Sequence, residues 1–186
     1  MAKVLIPLAD GFEEIEAVTV VDILRRGGVD VVTASVHDRL EVKGAHGLRI
    51  RADQQFEEAQ KGHYDAIVLP GGGECAETFK QFQPLHDRLL RQRDEKCLLC
   101  AICAAPTVLE AIGALDEDTE VTCYPTCQGD LERPWSPVPV VADGNVITGQ
   151  APGTAMLFGL VILQALAGER VARKVAQGMV TDVLDA

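Results

Sequence analysis

Short runs of aliphatic and β-branched residues alternate along the chain with stretches whose apolar positions return every three or four residues. The runs predict strands over residues 3–8 (KVLIPL), 30–36 (DVVTASV), 66–70 (AIVLP), 97–102 (CLLCAI), 120–124 (EVTCY) and 145–149 (NVITG). LEVK (40–43) and VPVV (138–141) read as extra edge or hairpin strands. Helical spacing covers 13–26, 75–82, 84–94, 104–113, 153–167 and 169–179. Strands that alternate with helices imply an α/β fold, a mostly parallel sheet with helices on both faces. Asp143-Gly144-Asn145 between two apolar runs reads as a hairpin turn. The first helix carries its own punctuation: Asp10 reads as its cap, and Glu13 completes the spacing of a capping box. Arg25 and Arg26 suit its carboxyl end, and Gly27-Gly28 stops it. No internal repeat or low-complexity tract breaks the pattern, so the expectation is a single domain over 1–186.

Composition narrows this. Aromatic residues make up 4% of a chain that is 47% hydrophobic, so the core must be built from Val, Leu, Ile and Ala, as in parallel sheets covered by helices. A net charge of −11 with no basic run argues against nucleic acid and anionic membranes as partners. The longest apolar run, 155–165, falls short of the ~20 residues of a membrane span and reads as a buried helix. The amino terminus lacks the long apolar core of a signal peptide, which makes the cytoplasm the expected location. In that reducing compartment the 6 cysteines are expected to be free of structural disulfides.

In such folds ligands bind outside the carboxyl ends of the strands. Three unusual stretches fall there: ADGFEEIE after the first strand, PGGGEC after the third, and CAAPT after the fourth. The cysteine spacing C-x2-C-x2-C at 97–103 raises the question of a metal. Cys97 and Cys100 lie in an apolar run without turn residues, and positions three apart in a strand face opposite ways, so no metal is expected there. Both read as small buried hydrophobes. Cys103 sits where strand must become helix. Pro106 suits the first helical turn, and Ala101, Ala104 and Ala105 leave room for the sharp elbow that exposes a nucleophile. Two readings stand for Cys103: a reactive thiolate, or a small residue filling a tight turn. Lowering a thiol from ~8.5 to ~5.5 takes about 4 kcal/mol, and a helix end supplies only ~0.3–2, so further donors are needed for the first.

Glu13, Glu14 and Glu16 are acids at a helix amino terminus, where charge compensation accounts for the first two. Glu16 falls on the apolar arc between Val20 and Ile23. It reads either as an inward proton shuttle with a raised pKa or as a partly solvated acid. Gly71-Gly72-Gly73 is either a bare turn or a bed of N–H donors for an oxyanion; it is neither a P-loop nor a dinucleotide fingerprint. His37, His63 and His86 read as surface residues.

GFEEIEAVTVVDILRRGG, YDAIVLPGGG, CAICAAPTVLE, VTCYPT and GQAPGTA occur in this order and at this spacing. Together they resemble the DJ-1/ThiJ/PfpI superfamily, specifically its DJ-1-like branch, over essentially the whole chain. The resemblance implies a flavodoxin-like three-layer sandwich and a homodimer, with no cofactor. It implies that Cys103 is the reactive, oxidisable elbow cysteine and that Glu16 hydrogen-bonds its thiol. Gly71, Gly72 and Ala104 match backbone donors for the bound oxygen, Arg26 matches an arginine near the dimer interface, and the resemblance counts Arg26, Tyr124 and His46 with them as oxyanion or substrate-binding residues. Tyr124 stands where many relatives have a histidine. His46 stands where they have an arginine directed at the partner's pocket, which makes anion binding there weaker or pH-dependent. Ala104 replaces the histidine that follows the nucleophile in the protease-like branch, which argues against peptidase activity. Cys75 and Cys123 are candidates to resolve an oxidised Cys103. The function so implied is a cofactor-independent glyoxalase or protein deglycase acting on small aldehydes or glycated proteins. The alternative is a redox-sensing holdase chaperone switched by oxidation of Cys103.

Overall fold

A computed structural model describes residues 1–184. Seven strands form the central sheet: β1 (Lys3–Leu8), β2 (Asp30–Ser35), β5 (Gln54–Gln55), β6 (Ala66–Leu69), β7 (Leu98–Ile102), β8 (Val140–Asp143) and β9 (Val146–Gly149). Their order is β5-β2-β1-β6-β7-β9-β8, parallel except for the β8–β9 hairpin at Asp143–Val146. β3 (Glu41–Lys43) and β4 (Arg49–Arg51) form a separate antiparallel pair. The helices are α1 (Glu14–Arg26), α2 (Phe56–Ala59), α3 (Gly73–Gln81), α4 (Gln83–Asp94), α5 (Pro106–Ala111), α6 (Ala155–Ala167) and α7 (Glu169–Gly178). α1 packs on α6 and α6 on α7, while α3 packs on α4 and α5. This is the expected three-layer α/β architecture.

The central strands are buried on both faces because they carry no polar alternation: Val4, Leu5, Ile6, Ile67, Leu69, Leu99 and Ala101 are all at most 1% exposed. α1 buries Ala17, Val20, Ile23 and Leu24 and turns Asp22, Arg25 and Arg26 to solvent, as its spacing dictates. The chain leaves β1 toward β2 on one side and later returns to β6 on the other, so the sheet order reverses between β1 and β6. Such a reversal opens a crevice at the carboxyl ends of the strands. The turns after β1, β6 and β7 all empty into it.

The structure departs from the sequence reading in several elements. Residues 120–124 form no strand. Val121 makes a single bridge to Trp135, and a 3-10 helix follows over Pro125–Asp130. The segment is buried, but its hydrogen bonds go to side chains and isolated carbonyls: Thr122 N–H donates to Thr148 Oγ1 at 2.8 Å and Thr122 Oγ1 to Val138 O at 2.9 Å. A run of prolines, Pro125, Pro134, Pro137 and Pro139, denies it a ladder. Asp10 does not cap α1; Glu13 does, its Oε2 accepting from Glu16 N–H at 2.8 Å. Asp10 instead accepts from Lys43 N–H at 3.0 Å and pairs with Arg39, tying the β1–α1 turn to the β3–β4 pair. β4, β5 and α2 are too short for any periodicity to mark them. No helix among the described residues is long and apolar enough to cross a membrane.

Candidate active site

The turn after β7 carries Cys103 in the left-handed region, with φ of +65°. For a residue with a Cβ this conformation costs on the order of 1–3 kcal/mol and persists only where neighbours hold it. Here the backbone is held on both sides. Cys103 N–H donates to Gly149 O at 2.9 Å, and Cys103 O accepts from Tyr124 N–H at 2.8 Å. The effect is to swing the thiol out of the β7 line toward the crevice. Cys103 is 9% exposed, whereas Cys75, Cys100 and Cys123 are at 0%.

Glu16 reaches the same point from α1. It is 1% exposed, and its Oε2 accepts from Gly71 N–H at 2.7 Å. Oε1 is buried without a hydrogen-bond partner among the described residues, and the Cys103 thiol stands close enough to influence the carboxyl. Gly71 makes this meeting sterically feasible. A Cβ there would lie 2.6 Å from Glu16 Oε2 and 2.7 Å from Cys103 Cβ. Gly72 has φ of +96°, and a Cβ on it would sit 2.0 Å from Gly11 O, so only glycine lets the two turns close. Glu13 N–H donates to Gly71 O at 3.0 Å and completes the clamp.

Burial pushes the Glu16 carboxyl up to about 7, helped by the Glu13 charge and opposed by the Gly71 N–H and the thiol. Burial likewise pushes the Cys103 thiol up to about 12, reinforced by the Glu16 charge and its hydrogen bond; the Ala104 and Gly72 N–H groups pull it down. This reverses the sequence expectation of a thiol lowered by its surroundings. The two groups form one coupled acid. Both cannot be anions near neutrality, so at least one proton stays on the pair. With the proton on sulfur, Cys103 is a thiol facing a carboxylate. With the proton on Glu16, the charge and hydrogen bond that reinforce the thiol's shift vanish; burial still opposes a thiolate, and the Ala104 and Gly72 N–H groups are what favour it.

The remaining sequence-derived candidates divide. Ala104 and Gly72 present their N–H groups to the sulfur. Gly71 does not: its N–H is committed to Glu16, so its place as an oxyanion donor is corrected to that of a support. Tyr124 reaches the site through its backbone N–H, with its residue surface 41% exposed. Arg26 is not at the site. It lies at the far end of α1, paired with Asp22 at 2.6 Å, and ten residues of helix put it about 15 Å from Glu16. His46 sits beside the site's outer acids, its Nδ1 2.9 Å from Glu14 Oε2. Cys75 and Cys123 are wholly buried, so neither is open to solvent as a resolving thiol; Cys127 is partly exposed. His37 and His86 are half-buried and bonded to Asp10 N–H and Phe79 O, while His63 is exposed as expected.

Glu13 and Glu14 are the residues whose importance the sequence reading missed. Side by side at a helix start, they match the ordinary pattern of dipole compensation, and nothing in composition separates them from it. Both are in fact buried, at 7% and 6% exposure. Burial opposes the Glu14 charge, but the His46 ring and the N–H groups of Glu14, His46 and Leu48 outweigh it and hold the carboxyl below its ordinary range. The same contact raises the His46 imidazole.

The Glu16 shift sets a pH signature. Its folded pKa lies above the unfolded value of 4.5, so the stability it allows is full below that pH and is lost as pH rises through about 7. The loss is about 3 kcal/mol. Glu16→Gln is therefore expected to match the unaltered protein near pH 4.5 and to exceed it by about 2–3 kcal/mol at pH 8, in urea unfolding in chelated buffer. Parallel stability curves for the two proteins across this range would refute the assignment.

Comparison with known proteins places this geometry. The crystal structure of Drosophila melanogaster DJ-1beta superposes with a TM-score of 0.94 at 34% identity, covering 97% of this chain and 98% of that one. The Arabidopsis thaliana protein DJ-1 homolog B is 37% identical over 180 residues, 96% of this chain and 41% of its own length. The chain thus spans less than half of that plant relative. The Caenorhabditis elegans protein named glutathione-independent glyoxalase DJR-1.2 is 36% identical over 171 residues, covering 90% of this chain and 89% of that protein. The model of the DJ-1/PfpI family matches residues 2–165. With that model matched over most of its length, the chain belongs to the DJ-1/PfpI family.

Proposed function

We propose that the protein is a cofactor-independent, glyoxalase-type enzyme that converts small 2-oxoaldehydes, free or as early protein adducts, into hydroxy acids. The observation that carries this reading is the buried Glu16 carboxyl beside the Cys103 thiol, with the Ala104 and Gly72 N–H groups near the sulfur. A relative that bears the name glutathione-independent glyoxalase supports it.

The chemistry follows from the pair. With its proton on Glu16, Cys103 is a thiolate that adds to the aldehyde carbon. The alkoxide so formed lies toward the Ala104 and Gly72 amides and takes the Glu16 proton, which gives a neutral hemithioacetal and a carboxylate base. Glu16 then removes the proton on the former aldehyde carbon and returns it to the neighbouring carbonyl carbon, while the hemithioacetal hydroxyl proton passes to the neighbouring carbonyl oxygen, so that a thioester C=O forms as the ketone becomes a hydroxyl. The first carbon is oxidised and the second reduced, so no external electron carrier enters. The product is a 2-hydroxy thioester. Water hydrolyses it, releases the hydroxy acid and regenerates the thiol. A carboxyl near 7 suits both halves of this duty, since it is acid and base in turn.

A second reading, redox sensing, rests on the exposure pattern. Cys103 alone among the four most buried cysteines opens to solvent, and the same two amides would stabilise an oxidised sulfur. Peroxide treatment followed by a client-aggregation assay separates the two.

A homodimer belongs to this proposal. Ile15 and Val18 stand one turn apart on the outer face of α1, at 55% and 48% exposure, beside Leu48 at 60%. A second copy of the chain is the proposed cover for this apolar patch.

Methylglyoxal turnover is expected to fall to background in Cys103→Ser and by about 10²–10⁴ in Glu16→Gln, with Glu16→Gln still folded. Unchanged turnover in Cys103→Ser would end the mechanism. In sedimentation velocity, the unaltered chain is expected at twice the mass of Val18→Asp; equal masses would remove the proposed interface.

A further inference from the structure

We propose that Glu13, Glu14 and His46 form a binding site for a divalent transition-metal ion, with Zn²⁺ as the fitting species. One ligand atom from each of Glu13, Glu14 and His46 lies within 4.8 Å of the other two. His46 Nδ1 is 2.9 Å from Glu14 Oε2 and 3.8 Å from Glu13 Oε1. A tetrahedral zinc about 2.1 Å from each ligand separates its donor atoms by roughly 3.4 Å, between these two values. One imidazole and two carboxylates are a donor set that zinc accepts, with a fourth position left open.

The carboxylates are also anchored as metal ligands need to be. Each has one oxygen fixed by backbone and the other directed into the cluster. Glu13 Oε2 accepts from Glu16 N–H at 2.8 Å. Glu14 Oε1 accepts from His46 N–H at 2.7 Å and from Leu48 N–H at 3.3 Å. Such outer bonds orient ligands and hold them against rotation.

A second observation points to a cation. The Glu13 side chain is only 9% exposed, and its Oε1 accepts no hydrogen bond among the described residues, yet it faces His46 Nδ1. Glu14 beside it is 7% exposed at the side chain, and among the described residues the only basic side chain within ion-pair reach of either carboxylate is His46. Two adjacent carboxylates this deeply buried gather more negative charge than one imidazole can match, and a divalent cation would balance it. The start of α1 favours the carboxylates and opposes a cation by up to about 1 kcal/mol, a small term beside two negative ligands. Neither Cys103 nor Glu16 is in the donor set, so this site stands apart from the proposed thiol chemistry and does not depend on it.

The test is Zn²⁺ titration of the chelator-stripped full chain by calorimetry, with X-ray absorption on the loaded protein. Binding of one Zn²⁺ per chain is expected, with a shell of nitrogen and oxygen only. His46→Ala, at an exposed side chain that should not disturb folding, is expected to weaken binding at least tenfold, and Glu14→Gln likewise; Cys103→Ser is expected to bind as the unaltered chain does. Absence of binding, unchanged affinity in His46→Ala, loss of binding in Cys103→Ser, or sulfur in the metal shell would each overturn the site.

Discussion

The coupling of two buried acids that cannot both be charged near neutrality is the interaction on which the candidate site depends. Glu16 and Cys103 are held so close, and so far from water, that both cannot be charged near neutrality. Neither group could escape by moving. Glu16 is fixed by the Gly71 N–H and by its place on the buried face of α1. Cys103 is fixed by backbone hydrogen bonds on either side of a left-handed residue. The protein therefore accepts a strained turn and a poorly solvated carboxyl at one point, and the central sheet supplies the rigidity that makes both tolerable.

The frame explains why these residues meet. Parallel strands aim all their carboxyl ends at one edge of the sheet, and the reversal of order between β1 and β6 leaves a gap between the turns that follow them. Gly71 and Gly72 let the turns close to a distance that no side chain would permit. The outer acids continue the same arrangement toward solvent. Glu13 caps α1, clamps Gly71 and adds charge near Glu16, while Glu14 gathers the loop that carries His46. A divalent ion bound at those outer acids would sit within the same turn region yet leave the sulfur free.

Much of this was legible in the chain. The strands that became β1, β2, β6, β7 and β9 are short runs dominated by aliphatic and β-branched residues, and burial on both faces is what such runs require. Cys103 and Glu16 stood out because each breaks a local pattern, one at a strand-to-helix junction and one on an apolar arc. Other features were hidden for physical reasons. EVTCY has the composition of a strand, but its hydrogen bonds go to Thr148 and Val138, tertiary partners that spacing cannot reveal. Arg26 was assigned to the site by resemblance, whereas the rise of α1 carries it to the opposite edge. Glu13 and Glu14 looked like solvated helix-end charges because burial by a distant loop leaves no local mark. The direction of the Cys103 shift was hidden too, since it depends on desolvation and on the protonation of Glu16.

The most direct test is the ultraviolet absorbance of thiolate, taken as the difference between the unaltered protein and Cys103→Ala across pH. A shared proton requires a partial step centred near pH 7, where Glu16 titrates, displaced in Glu16→Gln. Thiolate absorbance that first appears near pH 12 in the unaltered protein would contradict the account, because Cys103 would then titrate alone against a fully ionised Glu16.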